Sequence, residues 1–211
     1  MKTEIWINML ASGAGPAPRG QVMRRLVPAA LLGLLFSAAV SLAVLGPVSA
    51  AMFQTPVPWM KLVYAGALAG AAGWLSAGLA RPVARLRAPT RAVMAVFALM
   101  ALLGGLAWWL TPAEDRLADL LGHSWSTCPV NVLLLSLPAL AGGLWALRGL
   151  APTRPQAAGL AVGLLAGALG AMGYALACEE TSPAFVALWY TLGMAFSGAL
   201  GAWLGPRVLR W

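Results

Sequence analysis

The chain has 211 residues, of which 61% are hydrophobic and only 9% charged, with a formal net charge of +8. So apolar a composition excludes an ordinary water-soluble domain. The basic surplus does not indicate nucleic acid either, because the arginines are scattered in short segments beside apolar runs.

In chain order, the first eleven residues predict a short amphipathic helix. Thr3 caps it, Glu4 suits its first turn, and Ile5, Met9 and Leu10 share a face with Trp6 at the edge. A Pro/Gly linker follows, and residues 1–25 together read as an amino-terminal segment outside the membrane. A segment this small has no core of its own, so it docks on the bundle, the membrane surface or a partner protein.

Six apolar windows come next, at about 26–46, 59–79, 92–110, 130–147, 157–177 and 184–204, each near the roughly 20 residues needed to cross a bilayer. A tail over 205–211 closes the chain. Arg24-Arg25 followed by a long apolar run and Val48-Ser49-Ala50 resembles a cleaved leader, but such apolar cores are roughly 7–15 residues long and this one is longer. The expected fold is therefore an all-α integral membrane protein, a six-transmembrane-helix bundle.

Charge gives the orientation. Twelve of the fourteen Lys and Arg residues fall on one side of an alternating six-helix layout, and five of the six acids fall on the other. The positive-inside rule then places both termini in the cytoplasm. Lys61, near the start of the second window, is expected to snorkel to the interface. The other windows carry no charge, so no ionisable group is expected deep in the bundle. Glycines four residues apart (Gly159, Gly163 and Gly167; Gly66 and Gly70; Gly201 and Gly205) predict close helix packing, mainly within the molecule. Pro138 interrupts the fourth window and is a candidate hinge.

Catalytic signatures are missing. There is one histidine, no HExxH, no phosphate loop, no serine elbow and no Cys-x-x-Cys. No enzyme activity and no constitutive cofactor is expected. What remains is Cys128 at the start of the fourth helix and Cys178 at the end of the fifth. Counted from the connection between them, each lies about twenty residues along its helix, or about 30 Å at roughly 1.5 Å per residue. The two thiols therefore stand at matched height near the acidic end. Three readings stay open for the pair: a reactive or metal-sensing couple, a structural disulfide, or inert thiols. His123 stands near them in sequence as a further soft-metal ligand. A small-molecule transporter and a membrane thiol oxidoreductase are the alternative functions.

Several segments together resemble a known family. They are MKTEIWINMLA at the start, the paired arginines before the first window, GHSWSTC at 122–128, WALRGLAPTRP at 145–155, YALACEE at 174–180, WYTLGM at 189–194 and the terminal GPRVLRW. In their order and spacing they resemble the NrsF-like membrane anti-sigma factors, negative regulators of an extracytoplasmic-function sigma factor. The resemblance implies an inner-membrane, multi-pass protein that sequesters such a sigma factor and releases it under heavy-metal or thiol-directed stress. It implies that Cys128 and Cys178 sense the stress, a heavy-metal ion being an inducer. It further implies that the amino-terminal segment binds the sigma factor, with Ile5, Trp6, Met9 and Leu10 as the contact residues. The lipid bilayer is the other expected partner, and no direct nucleic-acid contact is expected.

Overall fold

The computed structural model describes residues 3–13, 20–81, 85–150 and 152–210. Of the linker expected over 12–18, Ser12 and Gly13 instead continue the first helix, where Ser12 donates to the Met9 carbonyl, and residues 14–18, with Lys2, Arg19 and Trp211, lie outside the described residues. Helix dominates for a physical reason: hydrocarbon offers no hydrogen bonds, so a spanning segment must satisfy its own backbone. The helices are α1 (Thr3–Gly13), α2 (Gln21–Val44), α3 (Pro56–Leu79), α4 (Arg87–Leu110), α5 (Arg116–Leu121), α6 (Cys128–Arg148), α7 (Pro155–Ala175) and α8 (Pro183–Val208). Prolines occupy the first turns of α3, α6, α7 and α8, where the missing N–H costs nothing. A five-residue π-helical turn, Val186–Tyr190, interrupts α8.

Six of these helices (α2, α3, α4, α6, α7 and α8) are long and apolar enough to cross a membrane, the number expected from the sequence. Several extend beyond the apolar windows. The third starts at Arg87 rather than near Ala92, because an arginine in the first turn still reaches water while the backbone stays helical.

α7 is the axis of the bundle. Every residue from Ala161 to Ala171 is buried, and the helix packs on α2, α3, α6 and, most extensively, α8. Small residues make that contact. A Cβ at Gly159 would meet the Gly201 carbonyl, and one at Gly163 would stand 2.8 Å from the Gly198 Cα. With no hydrophobic drive between helices in lipid, such backbone approach supplies the attraction. Serines add polar links: Ser37 donates to the Gly170 carbonyl at 3.3 Å, and Ser136 bonds Ser197 between α6 and α8.

Two expectations are corrected here. Lys61 does not snorkel: it is 0% exposed, turned into the bundle rather than toward water. An ionisable group therefore does lie inside the helices. Gly66 and Gly70 form no seam, since a Cβ at either would have no neighbour within 4 Å. The helix α2, which could have covered them, instead rests on α6 and α7 and barely touches α3.

Candidate functional site

At the acidic end of the bundle, four elements bring polar groups into the interior. Cys128 opens α6, Cys178 follows the end of α7, Lys61 lies in the second turn of α3, and Tyr190 closes the π-helical turn of α8. Both cysteines are free thiols, 0% and 4% exposed. Both belong to one buried core cluster that also contains Tyr174 and Tyr190.

The Lys61 ammonium donates to the backbone carbonyl of Cys178 at 2.7 Å and stands 5.8 Å from the centre of the Tyr190 ring. A carbonyl dipole and an aromatic face are the partners that a cation uses where water is excluded. Tyr190 stacks obliquely on Tyr174 with ring centres 5.7 Å apart. The Tyr190 hydroxyl is buried beside Cys178 yet makes no hydrogen bond of acceptable geometry among the described residues. A second polar contact joins α3 to α8, between the Tyr64 and Thr191 hydroxyls at 2.6 Å. The cluster thus ties α3, α6, α7 and α8 through one buried patch.

Above it lies a cavity of about 820 Å³ lined by Asp115, Asp119, His123, Tyr174, Cys178, Glu179 and Glu180. Its wall is fixed by specific hydrogen bonds. One Glu180 carboxylate oxygen accepts the His123 N–H at 2.7 Å, the Ser124 N–H at 2.8 Å and the Ser124 hydroxyl at 2.9 Å. Gly122, at φ +54°, lets the carboxylate approach, because any Cβ there would collide with it. Ser182 donates to Asp119 at 2.7 Å while its oxygen caps α8 by accepting the Phe185 N–H at 3.2 Å. Trp189 donates to the Leu120 carbonyl at 2.9 Å and packs on Trp125, ring centres 5.6 Å apart.

Of the residues singled out from sequence, Cys128 and Cys178 are both buried, in the same core cluster. His123 is exposed and engages Glu180 through its backbone, and among the described residues no three His, Cys, Asp or Glu side chains converge as a metal site. Ile5, Trp6, Met9 and Leu10 are all exposed on α1, a helix with no buried residue. Sequence reasoning missed Lys61 and Tyr190 as members of the cysteine cluster. The one available signal was a lysine inside an otherwise uncharged helix.

The protein-family model described as "Negative regulator of sigma F" matches residues 10–211. The chain belongs to this family. Relatives agree along their whole length. The Anti-sigma-F factor NrsF of Caulobacter vibrioides (strain NA1000 / CB15N) is 40% identical, covering 100% of both chains. The Probable anti-sigma-F factor NrsF of Azospira oryzae (strain ATCC BAA-33 / DSM 13638 / PS) is 36% identical, again over 100% of both. No solved structure matches. The family is described as a negative regulator, and both relatives are named as anti-sigma factors, regulatory proteins rather than enzymes.

Proposed function

We propose that this protein is an anti-sigma factor of the bacterial inner membrane, with both termini in the cytoplasm, acting on a sigma factor of the extracytoplasmic-function type. Full-length similarity to proteins named anti-sigma-F factors carries the first part. The sorting of basic and acidic residues to opposite ends of the bundle supports the orientation. In this reading α1 is the docking element. None of its residues is buried, and Ile5, Trp6, Met9 and Leu10 form an exposed apolar strip that water disfavours and a partner groove would bury.

The buried thiols are the sensor in the same proposal. A soft metal ion bound by Cys128 and Cys178 would displace the two thiol protons. A two-electron oxidant would instead take two electrons and two protons and leave a disulfide. Either reaction alters the position of Cys178, whose carbonyl holds Lys61, and so pulls on α3 as well as on α6 and α7. Those helices lead to the loops at the arginine end, with Pro138 midway along α6 as the bending point. Inducer shifts the equilibrium only through its different affinity for the two arrangements. The observation that carries the sensing step is that both free thiols are buried in one core cluster and that the buried Lys61 donates to the Cys178 carbonyl.

The test is a reporter of sigma-dependent transcription in cells carrying Cys128→Ser with Cys178→Ser. The expected result is intact repression at rest and loss of induction by cadmium or by a thiol oxidant. Normal induction in the double variant would remove the sensing step and leave the anti-sigma role standing.

A further inference from the structure

At the arginine end of the bundle, α2 and α3 lean apart and leave a groove of about 740 Å³, within the usual size range of small-ligand sites (roughly 300–1,000 Å³). Leu26 and Ala30 of α2 form one wall, Gly70 and Gly73 of α3 the other, and Leu165 of α7 the floor. A Cβ at Gly70 would touch nothing, so the absence of side chains there opens space instead of admitting a neighbouring helix. Arg81 and Arg85 stand at the mouth.

A second cavity of about 330 Å³ adjoins the groove, sharing Gly78 and Arg81 with it. It brings Arg81, Arg87 and Arg154 around one small space. Five of the six acids in the chain belong to the opposite end, so this basic cup is built almost without carboxylates to neutralise it. An apolar slot that opens into a cluster of guanidinium groups has the chemistry of an amphiphilic anion. Its depth agrees. From Ala69 to Gly78 the α3 wall rises about 14 Å at roughly 1.5 Å per residue, close to half of a hydrocarbon core of roughly 30 Å.

We infer that this is a binding site for an anionic phospholipid of the leaflet at the arginine end. One acyl chain lies along Gly70 and Gly73, and the phosphate sits among Arg81, Arg87 and Arg154. Guanidinium groups bind phosphate oxygens in paired, directional hydrogen bonds, and basic pockets between helices are the places where anionic headgroups settle. A second copy packing on Gly66 and Gly70 would bring side chains but no anion to the arginines. The site does not depend on how the sigma factor binds or on what the cysteines sense.

Native mass spectrometry of the full-length protein, titrated with phosphatidylglycerol or phosphatidylcholine, reads this directly. One phosphatidylglycerol should be retained, with a preference of about tenfold or more over phosphatidylcholine. Gly70→Leu projects into open space and leaves the helix intact, so it should abolish retention while secondary structure and elution are unchanged. Arg81→Gln with Arg154→Gln should remove the headgroup preference alone. Equal retention of the two lipids, or unchanged binding in Gly70→Leu, would overturn the assignment. So would competition by free glycerol phosphate as strong as that by the lipid. A dimer in the parent protein that Gly70→Leu dissociates would assign the groove to a second copy instead. A cross-link between cysteines placed at Leu10 and Gly70 would assign it to α1.

Discussion

Among single residues, Lys61 carries the most unusual chemistry. Its ammonium is fully buried and its hydrogen bond goes to a carbonyl, not a carboxylate. The arrangement is costly unless the position does something a leucine could not, because removing a cation from water is expensive. Replacing it with methionine keeps the volume and removes the charge, but leaves the Cys178 carbonyl without its donor. Lys61→Met should therefore lower stability by about 1–3 kcal/mol, the cost of an unsatisfied buried acceptor. A denaturation midpoint in detergent checks this. A stability equal to the parent's would show that the Lys61–Cys178 bond has no energetic role. Nothing in the local sequence announced the contact. A lysine five residues into a spanning helix is compatible with snorkelling outward or turning inward, and the neighbours from α7 and α8 decide between them. The thiols were more legible in one respect, since helix length alone put Cys128 at the start of one helix and Cys178 at the end of the next, and the structure has Cys128 opening α6 and Cys178 just past the end of α7.

At the level of elements, identical sequence patterns perform opposite tasks. Gly159, Gly163 and Gly167 meet the backbone of α8, whereas Gly66 and Gly70 face open space. Spacing in the sequence does not distinguish the two cases, because the difference lies in which helix arrives opposite. Substitution does. Gly163→Ala drives a methyl against the Ser197–Gly198 backbone and should destabilise the protein by about 1–3 kcal/mol or more, the range for overpacked interiors. Gly66→Ala should be neutral or stabilise by up to about 1 kcal/mol, through helix propensity alone. Thermal midpoints of the two variants side by side check the contrast, and equal midpoints would contradict the packing described. The six spanning helices themselves were readable because lipid imposes both their length and their composition. The π-helical turn at Val186–Tyr190 was not, since its five residues are ordinary helix formers by type. Such turns recur at functional sites. Here it carries Tyr190 into the cysteine cluster and Trp189 onto the Leu120 carbonyl.

On the scale of the whole molecule, the two ends of the bundle carry opposite chemistry. Thiols and acids gather at one end, and arginines at the other. A topology reporter fused after residue 211 should be active only in its cytoplasmic form, and one inserted between residues 114 and 115 only in its periplasmic form. Reversed activities would invert the proposed orientation, and with it the access of α1 to any sigma factor. The amino-acid sequence conveys this layout through charge sorting, while the coupling between the ends depends on side-chain contacts such as Lys61 with Cys178.

The most direct measurement is co-purification from native membranes, comparing the full-length protein with a variant lacking residues 3–13. A sigma factor should be recovered with the full-length protein and lost from the variant. Absence of any sigma factor from both would contradict the anti-sigma role.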